Sequence, residues 1–466
     1  MVFSSLVFLY LFLPLVAVSY AVCRNRTYRN IVLLVFSLIF YGWGEPQYIL
    51  LMILACLVAY VCGLLLEWAQ DRPHTKKVIL IIGICIFISN LFVFKYLNFA
   101  YANLRHIAPS LPVIASVALP IGISFYTFQI LSYLIDLYRG EIRVQKNFLY
   151  LALYISFFPQ LIAGPIVRYQ TIEEEILNRR ETLDDVVTGT RRFIIGLAKK
   201  VILADHLAAL SELIYRGNPQ MYGTGLYWVA AIAYALQLYF DFSGYSGMAI
   251  GLGQMFGFHF LENFRHPYLA CSITDFWRRW HISLSSWFRD YVYIPLGGNR
   301  VSKGRWIFNM IVVWCLTGFW HGAQWNFLLW GLYYGILLLL EKLLLGKYLA
   351  KLPKLLQWIY AMFFVVVGWV IFDRTELQQL AQALKMMFCW TPTNFTAMLA
   401  ADTSIVKGLI YLPLAALCIS PALQRLPRKR GFVCLCLENG FYVVLFVICV
   451  AMIVSTNYSP FIYFRF

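Results

Sequence analysis

A histidine in an uncharged stretch is the first feature of chemical interest. Residues 306–340 contain no Asp, Glu, Lys or Arg, and His321 is the one imidazole among them. An imidazole has an ordinary pKa of about 6.5, so it can accept a proton near neutral pH. The simplest use of such a group is general-base activation of a hydroxyl that attacks an acyl carbonyl. Gly318 and Gly322 flank the histidine and predict either close approach of a backbone or ligand, or a bend that admits substrate.

A second histidine lies 40 residues upstream, in the segment ITDFWRRWHISLSSWFRDYVYIPLGGNR at 273–300. Helical spacing groups apolar residues with this imidazole on one helix, namely Trp277, Trp280, His281, Leu284, Trp287 and Phe288. Arginines and aspartates interrupt the pattern, which is typical of a helix that lines a polar pocket or lies at the headgroup boundary. The candidate substrate-binding residues of this segment are Trp277, Arg278, Ser285 and Arg289. The final PLGGNR predicts a turn.

Two further places put polar groups where lipid-facing sequence would not tolerate them. In YFDFSGYSGMAIG, at 239–251, Asp241 ends a long uncharged run and is followed by Ser243. A carboxylate at this depth is costly, so Asp241 either pairs with an arginine elsewhere or takes a direct part in the site. Trp325 and Asn326, which follow His321 closely, complete the set of candidate substrate-binding residues.

Composition indicates what surrounds these residues. Of the 466 residues, 61% are hydrophobic and 13% are charged, whereas soluble domains are about 25% charged. Uncharged runs recur at 1–23, 46–66, 78–94, 107–135, 147–167, 217–240, 306–340, 355–372, 408–424 and 439–464. Since roughly 20 apolar residues cross a bilayer, the chain is predicted to be an all-α polytopic integral membrane protein.

The net charge of +16 comes from basic residues between the apolar runs. One such group contains Lys199 and Lys200. The positive-inside rule puts these loops in the cytoplasm, including 138–146, 299–305 and 425–430, and leaves the N-terminus and the 391–402 loop outside. The charge therefore needs no nucleic-acid partner to explain it. Residues 1–23 lack a basic start and a cleavage site, and they read as an uncleaved first helix. The polar stretch 168–200 predicts helices along the cytoplasmic surface.

Several chemistries find no support in the sequence. The cysteines have no metal-ligand spacing, so no metal site is predicted. No G-x-S-x-G motif supports a covalent serine nucleophile, and no Walker motif supports phosphoryl transfer.

Six segments together resemble one family. DFWRRWHISLSSWFRDYVYIPLGGNR and GFWHGAQWNFLLWG are similar to the two histidine segments of the membrane-bound O-acyltransferases, in their bacterial alginate O-acetyltransferase branch. The start MVFSSLVFLYLFLPL, then PIGISFYTFQILSYLIDLYRG, QLIAGPIVRY and YFDFSGYSGMAIGLG, fit the same branch in the same order. The resemblance covers about residues 1–345. The remainder, 346–466, is read as further membrane helices of a single membrane-embedded domain that spans 1–466.

The resemblance implies a fold and an activity. The fold is a ring of about eleven transmembrane helices, with re-entrant and interfacial helices, around a central tunnel. The activity is transfer of an acyl group, most simply acetyl, from a cytoplasmic thioester such as acetyl-CoA toward an extracellular polysaccharide or cell-wall glycan. By position, His321 corresponds to the catalytic histidine of the family and His281 to the second one. An extracytoplasmic partner with an SGNH-hydrolase-like domain completes delivery, in a bacterial cell membrane, and no bound cofactor is expected.

Three alternatives stay open from the sequence. The same fold can transfer D-alanine from a carrier protein or a long acyl chain to a lipid. A transporter with an intramembrane relay of His, Asp and Arg belongs to a different class. Arg300, Lys303 and Arg305 are either binders of the donor phosphates or plain determinants of topology. Within the enzyme hypothesis, we expect His321 to be the base and His281 to orient the acceptor or donate to the carbonyl oxygen.

Overall fold

The fold is helical throughout the part of the chain that the structure describes. The computed structural model describes residues 1–394, 396, 403–420, 432–455 and 461, and no strand occurs among them. The basic loop predicted at 425–430 lies outside the described residues. So do residues 395 and 397–402 of the loop predicted at 391–402. The chain forms two compact units, one made of residues 1–193 and 246–261 and the other of 194–245 and 262–466.

Nine α-helices begin in the first unit, which contains residues 1–193. They are α1 (Leu13–Val22), α2 (Arg26–Gly44), α3 (Ile49–Trp68), α4 (Pro73–Leu91), α5 (Leu97–Ile107), α6 (Ile123–Arg139), α7 (Phe148–Ser156), α8 (Tyr169–Asn178) and α9 (Leu183–Ala198). Helix α6 is almost wholly buried, and its main contacts within this unit are with α3 and α4. The polar stretch at 168–200 forms α8 and α9, in agreement with the helices expected there.

The second unit carries both histidine segments. Its helices, among the described residues, are α10 (Asp205–Arg216), α11 (Pro219–Met255), α12 (Ile273–Arg279), α13 (Ile282–Phe288), α14 (Lys303–His321), α15 (Trp325–Leu340), α16 (Gly346–Leu349), α17 (Lys354–Asp373), α18 (Leu377–Phe388), α19 (Ser404–Leu409), α20 (Tyr411–Ile419) and α21 (Phe432–Ser455). Helix α11 is interrupted at Gly223, where φ is 62°, and its last turns belong to the first unit.

Five helical segments in the described residues are long and apolar enough to cross a membrane. They are Pro46–Trp68, Pro73–Ile107, Trp325–Leu349, Lys354–Asp373 and Val433–Ser455. The prediction of a polytopic all-α membrane protein is confirmed at this level, whereas the expected number of about eleven spans is not. One reason is visible at the uncharged run 107–135, because residues 108–122 form no regular helix and α6 has only 17 residues.

Glycines decide how closely α14 and α15 pack. A Cβ on Gly318 would overlap the carbonyl oxygen of Phe327, and a Cβ on Gly331 would overlap that of Trp314. Small residues of this kind let two helix backbones approach each other in a membrane protein. Helix α14 continues through Gly318 to His321 without a bend. Of the two roles expected for this glycine, the structure shows close backbone packing.

In the first unit, the α8–α9 connection is anchored to the N-terminal helices by charged residues, of which one is buried and the others are partly exposed. The Arg179 side chain is fully buried, and its Nη1 donates to Asn30 Oδ1 at 2.6 Å. Glu181 accepts from Arg26 Nη1 at 2.5 Å and from the Tyr20 hydroxyl. Burial opposes ionisation of Glu181, but these hydrogen bonds outweigh it and lower its pKa to about 2. The buried Arg179 and the partly exposed pair of Arg26 and Glu181 therefore hold the connection against the N-terminal helices.

Candidate active site

His321 is the last residue of α14. Gly322 follows in an extended conformation, and α15 begins at Trp325. The imidazole is 5% exposed. Its ring centroid lies 5.0 Å from that of Trp320, 5.1 Å from that of Trp330 and 5.1 Å from that of Phe372. Helix α14 therefore carries the histidine into an aromatic enclosure.

His281 lies at a break between two short helices. Helix α12 ends at Arg279, α13 begins at Ile282, and His281 itself has φ 45° and ψ 55°. The single helix expected across 273–288 is therefore wrong, although the predicted apolar residues are all buried. Left-handed backbone is uncommon for a residue with a side chain and occurs where the surroundings determine it strongly. The break turns the imidazole, which is 1% exposed, away from the direction that a continuous helix would give it.

Asn263 fixes the orientation of the second imidazole. Its Oδ1 receives the backbone N–H of Ser283 at 3.1 Å and the Ser283 hydroxyl at 2.9 Å, and His281 Nδ1 lies 3.2 Å from the same oxygen. Because an amide oxygen only accepts hydrogen bonds, Nδ1 of the neutral imidazole carries the proton. In this tautomer Nε2 is the nitrogen that accepts a proton.

Trp320 is the common neighbour of the two histidines. Its ring centroid lies 5.8 Å from that of His281 and 5.0 Å from that of His321. On its other side, the His281 ring meets Phe242 edge to face at 4.7 Å. The two imidazoles thus lie in one aromatic cluster of low polarity. Such surroundings exclude water from the groups that they enclose.

The start of α12, and with it the position of His281, depends on a buried carboxylate. Glu341 accepts the backbone N–H groups of Ile273 at 2.6 Å and Thr274 at 2.9 Å. Ser272 caps the same helix, because its hydroxyl accepts from the backbone N–H of Asp275. A carboxylate at the first turn of a helix satisfies N–H groups that have no partner within the helix.

Asp241 pairs with a lysine. Lys200 Nζ lies 3.0 Å from Asp241 Oδ1 and 2.7 Å from Asp205 Oδ1, and both Lys200 and Asp241 are buried. The structural alternative predicts an arginine as the partner, and charge patterning assigns Lys200 to a basic cytoplasmic loop; the partner in the structure is Lys200. A buried lysine between two carboxylates does not serve as a loop charge. The sequence feature that could have predicted this pair is Asp241 itself, because a carboxylate inside a membrane segment needs a cation nearby.

This buried pair lies at one end of a cavity of about 700 Å³. The walls come from α10, α11, α18 and the segment around Asp373. The charged and amide-bearing lining residues are Lys200, Asp205, Glu212, Arg216, Gln237, Asp241, Gln324, Asp373, Arg374, Gln379 and Gln382. Lys200 and Asp241 are buried, whereas Glu212, Arg216, Gln324, Gln379 and Gln382 are exposed. The cavity therefore leads from an exposed rim to a buried end.

Each histidine packs against a residue that is adjacent in sequence to a residue lining this cavity. Phe242 follows the lining residue Asp241 and packs against His281. Phe372 precedes the lining residue Asp373 and packs against His321. Asn326, a predicted substrate-binding residue, is fully buried and donates to the carbonyl oxygen of Phe372 at 2.9 Å. Its contact in the structure is thus with the backbone that presents Phe372 to His321.

The other predicted residues divide into buried and exposed ones. Trp277 is buried in the aromatic cluster, 5.5 Å from Trp330 between ring centroids, so it shares a neighbour with His321. Ser243 is buried on α11, two residues after Asp241. Ser285 is partly exposed in the first turn of α13. Trp325 is 48% exposed, at the start of α15.

The predicted arginines and lysine lie on exposed surface. Arg278 is exposed on α12, and the largely exposed Arg289 pairs with its neighbour Asp290 at 2.6 Å. The three candidates for donor binding, Arg300, Lys303 and Arg305, are exposed at the start of α14. His321 is at the other end of this helix, about 27 Å away at the rise of an α-helix. The structure does not bring these residues to the histidines.

Four contributing residues were not predicted from the sequence. Asn263 had no recognisable signal, since an isolated Asn outside a motif is usually a turn residue. Trp320 and Phe372 read as ordinary apolar positions. Glu341 read as the end of an uncharged run. Each of them is important through contacts with residues distant in sequence.

The comparison with known families decides the class of this protein. The membrane-bound O-acyltransferase (MBOAT) family matches residues 38–373, which includes both histidine segments. The chain belongs to this family. MBOAT membership confirms the resemblance drawn from the motifs. It makes the chain an O-acyltransferase and a multi-pass membrane protein, and it places the cluster around His281 and His321 within an MBOAT domain.

Relatives in this family carry related names. The chain is 42% identical to the probable alginate O-acetylase of Pseudomonas aeruginosa, over 89% of this chain and 81% of that protein. It is 35% identical to the peptidoglycan O-acetyltransferase of Helicobacter pylori, over 83% and 80%. It is 32% identical to the teichoic acid D-alanyltransferase of Bacillus subtilis, over 47% and 58%. Similarity to the probable O-acetylases extends beyond residue 345, where the motif resemblance ended.

Proposed function

We propose that this chain is an O-acetyltransferase that passes an acetyl group from a thioester to the hydroxyl of a glycan. The observation that supports this most directly is the pair His281 and His321, buried in one aromatic cluster and adjacent through Phe242 and Phe372 to a polar cavity. Aromatic walls around the imidazoles favour acyl transfer over hydrolysis, because they exclude water. The polar cavity offers a place for a hydroxylated acceptor.

In the proposed step, the hydroxyl oxygen of the acceptor attacks the thioester carbonyl. A histidine nitrogen takes the hydroxyl proton as the new C–O bond forms. The C–S bond then breaks, and the leaving thiolate recovers a proton, so that a thiol and an ester are the products. By its position in the family motif, His321 is the proposed base, and His281 is the proposed orienting residue. The reaction is balanced with the thioester and the acceptor as its only reactants.

The donor is proposed to be a cytoplasmic thioester, either acetyl-CoA or an acylated carrier protein. Arg300, Lys303 and Arg305 are proposed to receive its phosphates, since they form an exposed basic group at one end of α14. Replacing all three with Gln should raise the apparent KM for the donor without changing kcat. Unchanged KM with normal insertion would make these residues topology determinants only.

Acetyl is preferred to D-alanyl as the transferred group. Similarity to the O-acetylases covers more than four-fifths of this chain, whereas similarity to the D-alanyltransferase covers 47%. Transfer to a lipid is disfavoured because charged and amide-bearing residues line the cavity. The final acceptor is proposed to be an extracellular polysaccharide or cell-wall glycan, reached with an extracytoplasmic partner that has an SGNH-hydrolase-like domain. The proposed location is the bacterial cell membrane.

The test is an acyl-transfer assay on the purified chain in liposomes. Radiolabelled acetyl-CoA and, separately, an acetylated carrier protein are supplied, and thiol release and label in the acceptor are both measured. His321→Ala should lower the transfer rate about 10²–10⁴-fold, as expected for loss of a general base. His106→Ala, a change at an exposed histidine on α5, is the matched control and should transfer normally. Normal transfer by His321→Ala would show that His321 is not the base. Ion flux without thioester consumption by the unmodified chain would favour the transporter alternative.

A further inference from the structure

A buried lysine is joined through one helix to the surroundings of His281. We infer that Lys200 is a positioning residue for acyl transfer, because its ion pair with Asp241 holds α11 in the rotation that sets Phe242 against the His281 ring. This inference rests on the proposed part of His281 in the reaction and adds a further residue to it. The residues that carry the inference all belong to the second unit.

The first argument is that a π-helical turn places Lys200. Residues 199–204 form this turn between α9 and α10, and the backbone N–H of Asp205 donates to the carbonyl oxygen of Lys200, five positions earlier. At 3.6 residues per turn, residues five apart would lie about 140° apart around an α-helix. The wider turn brings both side chains to one side, where Lys200 Nζ meets Asp205 Oδ1 at 2.7 Å. Single π-helical turns next to α-helices are rare, and they are frequently found at functional sites.

The second argument is that α11 packs tightly against this turn. A Cβ on Gly244 would lie 2.7 Å from the carbonyl oxygen of Gly196 and 3.3 Å from the backbone nitrogen of Lys200. Asp241 is three positions before Gly244 and therefore lies on the same side of α11. Lys200 Nζ lies 3.0 Å from Asp241 Oδ1, and the two side chains are 6% and 2% exposed. The ion pair thus forms where the backbones of the helix and the turn are in contact.

The third argument is that the other side of α11 meets the segment that carries His281. Phe242 packs edge to face against the imidazole, with 4.7 Å between the ring centroids. Tyr239, three positions earlier on the same side of the helix, has its ring centroid 6.3 Å from that of Trp280. Helix α11 therefore lies between the π-helical turn and the break at His281. Because a helix rotates as a unit, a rotation that moves Asp241 also moves Phe242.

The ion pair defines this rotation more strongly than the aromatic contacts do, because apolar burial is not directional. Removing one partner of a buried pair leaves an uncompensated charge, and fixing register is the best-attested use of such groups. Without Lys200, the buried Asp241 carboxylate would have the carboxylate of Asp205 beside it, and both residues line the cavity. Turning toward the cavity relieves this repulsion, and the same movement carries Phe242 away from His281.

The first measurement is acyl transfer by full-length variants in liposomes, as the initial rate of thiol release. Lys200→Met should lower kcat about tenfold to a hundredfold, as expected for a misplaced group, and should leave the KM for the donor within about twofold. Lys200→Met combined with Asp241→Asn removes both charges of the pair, so kcat should recover at least about threefold. The control is Lys95→Met, at a buried lysine of the first unit, which should lower the melting temperature but not kcat.

The second measurement does not depend on transfer. Protein with ¹⁵N-labelled histidines is compared in bilayers by solid-state NMR, and the His281 signals are assigned by their loss in His281→Gln. Lys200→Met should shift or broaden the ring nitrogen signals of His281, and the double variant should restore them toward their original values. The signals of His74 and His106, two exposed histidines of the first unit, should not change.

The outcomes separate this inference from the proposed function. Unchanged His281 signals overturn the inference, and so does a loss of kcat that is equal in Lys200→Met and Lys95→Met or is not relieved in the double variant. If Lys200→Met does not insert, Asp241→Leu breaks the pair while Lys200 keeps Asp205, and a normal kcat in that variant overturns the inference. If the unmodified chain consumes no thioester while the His281 signals respond to Lys200→Met, the proposed function fails and the positioning by Lys200 stands.

Discussion

The Nδ1 of His281 lies 3.2 Å from the Oδ1 of Asn263, an oxygen that also receives the backbone N–H and the hydroxyl of Ser283. This arrangement holds an imidazole at a left-handed backbone position with its proton on a defined nitrogen. The neutral ring then offers Nε2 as an acceptor. The donor role expected for His281 therefore requires the other tautomer or the imidazolium. The chemistry of this residue is open to a direct test.

The first prediction compares glutamine at the two histidine positions. His281→Gln keeps a side chain that can both donate and accept a hydrogen bond, so it should retain measurable acyl transfer, with a loss of roughly 10²–10³-fold. His321→Gln removes the base and should retain essentially none. Initial rates at saturating donor, with matched expression, provide the measurement. If the two variants are equally inactive, the histidines act as one proton-transfer unit, which is possible because Nε2 of the neutral His281 ring can accept a proton. The double variant should then be no less active than either single variant.

The second prediction concerns Asn263 as a positioning residue. Asn263→Ala removes the oxygen that orients His281, so kcat should fall about tenfold to a hundredfold while the KM for the donor changes little. The matched control is Asn309→Ala. Asn309 is also fully buried and bonds to backbone carbonyl oxygens, those of Leu296 and Gly298. A purely structural role for Asn263 would instead give both variants the same loss of melting temperature and the same kcat.

The third prediction tests the close packing of α14 against α15. A Cβ at Gly318 would overlap the backbone of Phe327, so Gly318→Ala should destabilise the protein by about 1–3 kcal/mol. Activity should also fall, because His321 is one turn further along the same helix. Gly304→Ala is the control on the same helix, since a Cβ there meets nothing within 4 Å. Equal melting temperatures for the two variants in detergent would contradict the packing argument.

The fourth prediction is a pH dependence in the first unit. His259 Nδ1 lies 2.8 Å from Glu175 Oε1, and its Nε2 lies 3.3 Å from Asp185 Oδ1. Burial lowers the pKa of His259, but these hydrogen bonds and charges outweigh it and raise the pKa above its ordinary 6.5. A raised pKa stabilises the fold fully below the unfolded value, and the contribution is lost as the pH rises through the folded value.

The melting temperature of His259→Gln measures this contribution. The variant should melt below the unmodified protein at pH 6, and the difference should shrink by pH 9. Because the His259 side chain is about half exposed, the effect should be small and should weaken in high salt. His74→Gln, at an exposed histidine of α4 outside this cluster, should show no such trend. A difference that grows with pH would reverse the sign and contradict the assignment.

The fifth prediction concerns orientation. The N-terminus should be outside and the loops 138–146 and 299–305 cytoplasmic, because basic loops stay inside. In a background without native cysteines, Lys303→Cys should react with an impermeant maleimide only after the membrane is opened. Trp390→Cys, at an 83% exposed position beyond α18, should react in intact cells. External labelling at position 303 would overturn this topology.

The sequence by itself determined the class, the membrane setting and the two histidines. Hydrophobicity and the absence of charge are local properties, and they suffice to predict helices in a bilayer. A histidine among uncharged residues is equally visible without a structure. The turn at PLGGNR was also predicted and is confirmed, with positive φ at Gly297 and Gly298. These features depend on residues within about one helix length of each other.

Only the tertiary structure decided the partners. Lys200 and Asp241 form an ion pair although they are 41 positions apart in the sequence, whereas the charge pattern alone predicts that Lys200 belongs to a loop. Asn263 holds His281 across a break that periodicity could not reveal, since the apolar residues on either side follow helical spacing. Phe242 and Phe372 come from different helices to the two imidazoles. Contacts between distant segments are set by how whole helices pack, and no local pattern records that.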